Sequence, residues 1–432
     1  MGLYLKKFEN HTQYESYING SGAILPNVSI CTTERHVHYN PYVVPPHDYS
    51  QDYFTMVVTS GGDIIWSGST ADNTLSYSKD NGDNWSAVTS ADTISVEAGD
   101  KVLWKGTPTP YTSFGIGKFS GATNVRYSVE GNTMSLLYGD DFKGQTSLSG
   151  KNYALFELFK GNTNVTSAEN LSLPATTLAT SCYQKMFRGC TSLTTAPVLS
   201  ATTLAQSCYF CMFQNCTSLT TAPELPATTL AQDCYYYMFD YCTSLTTAPE
   251  LPATTLANNC YQNMFSGCIS LTTAPELPAT TLAQDCYTLM FAGCTSLTTA
   301  PVLSATTLAS SCYHGMFFEC TGLTTVSSNY LHVTTLANNC YESMFYRCRS
   351  LTTAPELPAT TLTNYCYYQM FVGCTSLNSI KCLATDISAA ACTTGWVDGV
   401  AASGTFTKAA SMTSWTTGTN GIPSGWAVQD AQ

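Results

Sequence analysis

Pairs of cysteines eight residues apart are the residues of this chain whose type and spacing could support chemistry, because thiolates bind metals and form disulfides. The first members of the pairs are Cys182, Cys208, Cys234, Cys260, Cys286, Cys312, Cys340 and Cys366, and the second members are Cys190, Cys216, Cys242, Cys268, Cys294, Cys320, Cys348 and Cys374. The interval between pairs is 26 residues, except for 28 before Cys340, where SSNYLHV replaces the usual APELP-like turn.

The spacing argues against a metal site, because zinc sites favour cysteines two to four residues apart with further ligands nearby. The repeats contain only His314 and His332 as imidazole ligands. Disulfides between neighbouring repeats stay open, since a stacking distance of about 4.8 Å lies within bonding range. Parallel side chains and synthesis in a reducing compartment favour free thiols. We therefore interpret all sixteen cysteines as small hydrophobic core residues, and we predict no metal and no cofactor.

The elements that position these cysteines repeat as C-Y-x-x-M-F-x-x-C-T-S-L-T-T-A-P-x-L-P-A-T-T-L-A-x-x. At about 100° per residue, Cys234, Met238 and Cys242 would share one helix face with the neighbouring aromatic residues. Seven of the eight residues before the first cysteine are Ser, Asp or Asn, which are typical helix N-caps. The pattern predicts a two-turn helix followed by two short extended segments. A unit this small must stack on its neighbours, which predicts a solenoid.

The stretch MFxxCTSLTT followed by LPATTLA resembles the leucine-rich repeats of BspA-like surface proteins, over residues 153–426. The resemblance implies a leucine-rich-repeat solenoid of eight 26-residue coils at 153–380, plus capping coils. In the first coil, Phe156 and Asn162 would take the cysteine positions. A C-terminal cap at 381–432 would close the core with its tryptophans, which are Trp396, Trp415 and Trp426.

Residues 51–152 alternate apolar and polar side chains at a period of two, which predicts a β-sandwich-like spacer domain. With the repeats, the fold class is mixed β and α/β. The stretch SKDNGDNW (78–85) resembles an Asp-box, and we predict a structural hairpin turn for it. Asp140 and Asp141 are predicted to lie in a turn and not to be catalytic.

Residues 6–41 resemble the N-terminal segment of structural proteins from tailed phages of Bacteroidales hosts, including crAss-like phages. The resemblance implies that residues 1–50 dock on other virion proteins. His36 and His38 could face one side of a strand, but two ligands make a weak metal site, so an interface strand is the prediction.

Composition excludes several functions. The net charge of −12 argues against nucleic acid as the main partner. The sequence also has no run of 18 apolar residues, the length that a membrane-spanning helix needs. The first twenty residues lack the apolar core of a secretory signal. We therefore expect synthesis in the host cytoplasm, which favours a virion surface protein over a secreted adhesin.

No nucleophile–base pair, phosphate loop or metal cluster stands out, so the sequence predicts no enzyme. The prediction is a virion surface protein, either a head fibre or capsid decoration protein or a tail receptor-binding protein. Its solenoid would adhere to a host-surface or mucosal glycan or protein, and the protein would be a homo-oligomer. The alternative is a BspA-like adhesin on a bacterial cell surface. A sugar-cleaving enzyme, suggested by the Asp-box, is a third interpretation.

The candidate partner-binding face lies where the copies of the repeat differ, at the second, third, sixth and seventh residues after the first cysteine. Aromatic residues of this kind stack on sugar rings or anchor interfaces. The alternative, drift at unconstrained solvent positions, stays open. The candidates are Phe210, Tyr236, Tyr237, Tyr241, His314, Phe318, Tyr346, Arg347 and Tyr368.

Overall fold

In a computed structural model of the protein, the described residues are 47–69, 75–90, 92–108 and 114–432. Most of the predicted docking segment, with His36 and His38, lies outside the described residues. Residues Tyr49–Gln432 form one compact unit. Within the described ranges the fold is mostly β with few helices, which agrees with the β part of the predicted fold class and not with its α/β part.

The elements of this unit are short. The strands are β1 (Phe54–Ser60), β2 (Gly62–Gly68), β3 (Leu75–Ser78), β4 (Ser86–Val88), β5 (Thr93–Val96), β6 (Lys101–Gly106), β7 (Gly117–Gly121), β8 (Arg126–Asn132), β9 (Val165–Ser172), β10 (Ser379–Cys382), β11 (Thr405–Lys408) and β12 (Ala427–Asp430). Helix α1 spans Ser135–Tyr138, and 3₁₀ turns span Tyr49–Gln51 and Gly139–Phe142.

Two sheets form the region before the repeats. One has the order β4-β3-β6-β1-β8-β9 and the other has the order β5-β2-β7. Their buried aromatic side chains meet, with the Phe119 ring centroid 4.7 Å from that of Trp66 and 4.8 Å from that of Trp104. All three side chains are fully buried, as alternating strands with one apolar face require.

The first coil continues the larger sheet across the predicted border at 152/153, because β8 and β9 pair in parallel. Phe159 and Asn162 align with Phe187 and Cys190, at an interval of 28 residues. The first cysteine position is therefore held by Ala154, and the expectation of Phe156 there is wrong. Asn162 is buried, and its amide donates to the carbonyl of Phe119 and to the hydroxyl of Tyr127.

The segment between the two cysteines of each repeat is a series of turns, and the predicted helix is wrong. In the third repeat, alternate amides donate to the carbonyl three residues back, as Met238 does to Tyr235 at 3.1 Å. The amides in between donate to carbonyls of the next repeat instead. Tyr237 donates to Gln262 and Phe239 to Met264 in the next repeat, at 3.0 and 2.9 Å. Half of the amides therefore join neighbouring repeats, which an α-helix could not allow.

Every fourth residue of these turns has a positive φ, which also explains why the predicted N-caps are wrong. Asp233, Tyr237 and Tyr241 have φ of 56°, 55° and 57°. An N-cap has an extended backbone, whereas Asn, Asp and Gly are the residues that adopt left-handed φ most readily. All eight residues before the first cysteines, Tyr365 included, have a positive φ, so they occupy left-handed positions and are not N-caps.

The repeats lie in register, one on the next. Parallel bridges join threonines 26 residues apart, for example Thr195 to Thr221 and Thr221 to Thr247. Two columns of buried rings run through the repeats. The tyrosine column is Tyr183, Tyr209, Tyr235, Tyr261, Tyr287, Tyr313, Tyr341 and Tyr367, with ring centroids 5.7–6.2 Å apart. The phenylalanine column is Phe159, Phe187, Phe213, Phe239, Phe265, Phe291, Phe317, Phe345 and Phe371, at 5.2–5.9 Å.

Both columns end on one tryptophan. The Trp396 ring lies 6.2 Å from Tyr367 and 6.3 Å from Phe371, and its indole N–H donates to the carbonyl of Gly421 at 2.9 Å. Trp415 stacks on its other side at 5.6 Å. Beyond it, β10, β11 and β12 form a parallel sheet.

Candidate functional site

The turns between the cysteines carry a surface that we call the turn face, formed by the second, third, sixth and seventh residues after the first cysteine of each repeat. All nine candidate residues lie at these positions. The side chain of Tyr241 is 54% exposed and Arg347 is also exposed, whereas the other seven are half-buried. Half-buried rings keep one edge or face available while their neighbours hold them in place.

Three of the candidates form an aromatic cluster on the second and third repeats. The ring of Tyr236 lies 5.0 Å from Phe210, edge to face, and 4.4 Å from Tyr237, stacked. Burial raises the pKa of Tyr236, and its hydrogen bond with Tyr237 raises that pKa further. The Tyr236 hydroxyl is therefore protonated at neutral pH.

A second cluster, on the sixth and seventh repeats, combines rings with charges. Phe318 and Tyr346 stack at 4.5 Å with planes 2° apart, and the Arg347 guanidinium lies 5.2 Å from the Tyr346 ring. A hydrogen bond with Glu319 at 2.8 Å raises the pKa of Arg347. The ring and the carboxylate together hold the Arg347 guanidinium in place.

The structure does not join the nine residues into one patch. The fourth and fifth repeats separate the two clusters, and they carry Asn263 and Leu289 as the third residue after the cysteine and Gly267 and Gly293 as the seventh. Tyr368 lies further on, in the eighth repeat, edge to face with Tyr365 at 5.6 Å.

Two ionic partners of these residues were not predicted from the sequence. Glu319 pairs with Arg347, and Glu342 lies 3.6 Å from His314. The two residues of each pair occupy the same position in consecutive repeats. Aligning the charged residues repeat by repeat would therefore have predicted both pairs.

Bulky turn-face residues also pack against the same position of the next repeat, where a glycine leaves room for them. A Cβ on Gly267 would lie 2.9 Å from the Tyr241 ring, and a Cβ on Gly315 would lie 2.5 Å from Leu289. Each glycine again occupies the position of its bulky neighbour, one repeat later. The side chains of the turn face are therefore packed along the stack.

Asp240, the sixth residue after the first cysteine of the third repeat, is a buried member of the turn face. The Gln214 amide donates to one carboxylate oxygen at 2.7 Å, and the other oxygen has no hydrogen-bond partner. Burial raises the pKa of Asp240 above its ordinary value of 3.8, and the Gln214 hydrogen bond opposes that rise. The ionised carboxylate therefore disfavours the folded state at neutral pH.

Replacing Asp240 by asparagine is expected to raise the free energy of unfolding at pH 7. In the wild type, the stability that protonated Asp240 contributes is complete below its unfolded pKa and is lost as the pH rises through its higher folded pKa. The gain from D240N should therefore be largest at pH 7 and should disappear at about pH 3. Urea unfolding of both proteins at the two pH values measures it. A loss of stability at pH 7 would contradict this assignment.

The cysteines lie in the core, away from the turn face. All sixteen are buried, and they are free thiols in the structure. Each second cysteine donates its S–H to a phenylalanine carbonyl of the preceding repeat at 2.9–3.1 Å, as Cys242 does to Phe213. Within the described ranges, no group of three or more His, Cys, Asp or Glu residues could hold a metal ion.

The described cysteines are expected to resist alkylation in the native protein. Burial raises the pKa of Cys182 and of Cys216 to about 12, and the thiolate is the reactive form. Iodoacetamide at pH 8 should modify them only after unfolding in urea. Intact-mass spectrometry counts the modified cysteines, and Cys31 is replaced by serine so that only the described cysteines are counted. Rapid modification of several of them in the native protein would contradict the buried-thiol assignment.

The Asp-box residues form a hairpin turn between β3 and β4. The Asp80 carboxylate accepts from the Ser78 hydroxyl at 2.7 Å and from the Asn84 amide at 2.9 Å, which lowers the pKa of Asp80 to about 2. The Gly82 amide donates to the Ser78 hydroxyl at 2.9 Å. These bonds all close the turn on itself.

The remaining Asp-box residue, Trp85, packs in a cluster with Lys105 of β6, Asp140 and Tyr53. Its ring lies 4.1 Å from the Lys105 ammonium group, which pairs with Asp140 at 2.8 Å. The Tyr53 hydroxyl donates to the same carboxylate at 2.6 Å, and burial with this bond raises the pKa of Tyr53 to about 12. The cluster therefore joins the Asp-box turn, β6 and the 3₁₀ turn at Gly139–Phe142.

The described ranges contain no helix long and apolar enough to cross a membrane.

Comparison with known proteins identifies the repeats. Residues 158–298, 211–343 and 290–393 match the family described as BspA type leucine-rich repeat region (6 copies). The chain matches no curated protein and no solved structure. Together the matched segments span 158–393, more than half of the chain, and they confirm the resemblance drawn from the repeat sequence. The protein belongs to the BspA-type leucine-rich repeat family.

Proposed function

We propose that this protein is a non-enzymatic adhesion protein whose stacked repeats form a solenoid of eight coils, with capping coils at both ends. The observation that carries the proposal is the contrast within one repeat. The buried rings and thiols are nearly constant, whereas the turn face changes and collects aromatic and charged side chains. Solenoids of this kind generally bind partners along one extended face.

The second cluster is the stronger docking point. Phe318, Tyr346 and Arg347 hold one another in place, so little side-chain entropy is lost when a partner covers them. Tyrosine and arginine are also the residues enriched among interface hot spots. The partner is a host-surface or mucosal protein or glycan.

We propose further that the protein is displayed on a phage particle, as a head fibre or capsid decoration protein or as a tail receptor-binding protein. The resemblance of residues 6–41 to phage structural proteins supports this location. Residues 1–50 would attach to other virion proteins, and the repeats would be the distal part, in a homo-oligomer. A BspA-like adhesin on a bacterial cell surface is the second candidate, which the family membership favours equally.

Immunogold labelling with an antibody against the repeats separates the two candidates. Gold on the capsid or tail of intact particles is the result expected for the virion protein. Gold on the envelope of uninfected bacteria, with unlabelled particles, would contradict the virion location and support the bacterial adhesin.

The absence of enzymatic activity is part of the proposal. The purified protein should bind glycans or proteins without cleaving them. Chromatography of mucin glycans incubated with the protein measures cleavage. Release of reducing sugar would contradict the proposal and support the sugar-cleaving interpretation.

A further inference from the structure

The sixth repeat contains two additional residues in its extended segment, the part of each repeat that follows the second cysteine. Residues 326–333 (VSSNYLHV) replace the six residues APELPA of a regular repeat. The Tyr330 amide donates to the Ser327 carbonyl at 3.1 Å, so the inserted residues form a turn of their own. Leu331 keeps the buried position of the core leucine. The insertion therefore changes the extended segment and leaves the core filled.

The insertion interrupts the pairing between the extended segments of the sixth and seventh repeats. Every other interface between the first and the eighth repeat has at least one parallel bridge, such as that from Thr299 to Thr325. No bridge joins the extended segments of the sixth and seventh repeats, although all of their residues are described. One backbone hydrogen bond connects these two segments, from the Glu356 amide to the Ser328 carbonyl at 2.8 Å.

The turns and the core of the same two repeats are joined as in the rest of the stack. Alternate turn amides of the sixth repeat donate to carbonyls of the seventh, as Phe317 does to Met344 at 2.9 Å. Both ring columns also continue across this interface, with centroids 5.9 Å apart for the tyrosines and 5.7 Å apart for the phenylalanines. Only the extended side of the interface is therefore weakened.

Three side-chain contacts cross this interface on the turn side. They are the ring stack of Phe318 on Tyr346 at 4.5 Å, the hydrogen bond from Arg347 to Glu319 at 2.8 Å, and the pair of His314 and Glu342 at 3.6 Å. These contacts lie on the opposite side of the core from the missing bridges. They therefore hold the turns of the two repeats together where the extended segments are not paired.

We propose that the sixth–seventh interface is a joint, at which the C-terminal repeats tilt against the N-terminal repeats. A repeat array depends on the contacts between neighbours, so it deforms first at its weakest interface. The turns act as the pivot because their hydrogen bonds are intact, and the extended side opens because it is not paired. The three side-chain contacts restrain the tilt. This joint goes beyond the adhesion role and operates whether or not a partner binds the turn face.

Distances between two spin labels in the full chain, measured by pulsed electron paramagnetic resonance, test the joint. The labels are non-canonical amino acids, because the chain contains 20 cysteines. One pair, at Thr246 and Asn378, spans five repeat intervals and includes the joint, and the matched pair, at Thr194 and Thr324, spans five intervals without it. All four side chains are exposed and occupy the same position of their repeats. The distance distribution of the first pair should be at least about twofold broader.

Two variants assign the cause of the broad distribution. Replacing residues 326–333 by APELPA should restore the strand pairing and narrow the first distribution to the width of the second. Glu319→Gln together with Glu342→Gln should broaden it further. The matched control, Glu250→Gln together with Glu276→Gln, removes the same charge from regular repeats and should have no effect.

Equal widths for the two label pairs in the wild-type chain would overturn the proposal. A chain with the regular sequence at 326–333 that keeps the broad distribution would also overturn it. The wild-type comparison decides by itself if that chain does not fold. Neither measurement involves a partner, so failure of the joint is separate from failure of the adhesion role.

Discussion

A Phe265→Ala protein is expected to lose about 3–5 kcal/mol of its free energy of unfolding. Phe265 is fully buried in the middle of the phenylalanine column, with neighbouring ring centroids 5.7 Å away on both sides. Truncation leaves a cavity that the rings above and below cannot fill, because the hydrogen bonds between repeats fix the backbone spacing. Both interfaces of the fourth repeat are weakened at once, and such interfaces supply much of the stability of a repeat array.

Urea unfolding gives the size of this loss. Because long repeat arrays can unfold in more than one step, amide hydrogen exchange in the third to fifth repeats should be followed in parallel. The matched control is Ile269→Ala, four residues later, whose side chain is 47% exposed and whose loss should stay below about 1 kcal/mol. Equal effects of the two substitutions would contradict the continuous column.

Trp396→Ala should have a comparable effect, about 3–5 kcal/mol, concentrated at the C-terminal end. Trp396 is fully buried, covers the last ring of both columns, and donates its indole N–H to Gly421. Its removal exposes Tyr367 and Phe371 to water and leaves the Gly421 carbonyl without its donor. Hydrogen exchange should therefore accelerate first in the eighth repeat and only later towards the first.

Trp415 provides the control for this substitution. It stacks on Trp396, but its own indole N–H is buried without a hydrogen-bond partner. Trp415→Phe keeps a ring in place and removes the unpaired group, so stability should change by less than about 1 kcal/mol. Uniform acceleration of exchange across all repeats in Trp396→Ala would contradict an end cap.

The core of the repeats could be predicted from the sequence, whereas its backbone could not. Cys234, Met238 and Cys242 are four residues apart, and this spacing suits a helix face and a series of four-residue turns equally well. Asp233, Tyr237 and Tyr241 distinguish the two, since all three have positive φ. A tyrosine gives no sign of that conformation, because the stack and not the residue's own preference imposes it.

The candidate surface was predictable residue by residue but not as an arrangement. The positions of Phe318 and Tyr346 followed from repeat-to-repeat variation, yet their stacking depends on register between repeats. The Asp-box turn was more easily predicted, because Ser78 and Asp80 bond to amides within a few residues of themselves.

Adhesion through the turn face is tested most directly with purified protein on Bacteroidales cells and on mucin-coated surfaces. Wild type is compared with a protein carrying serine at Phe318, Tyr346 and Arg347, and with a control carrying serine at the exposed Val198, Ile269 and Arg349. We predict that the first variant loses at least about tenfold in retained protein, while the control matches wild type. Equal retention of all three folded proteins would contradict adhesion through this surface.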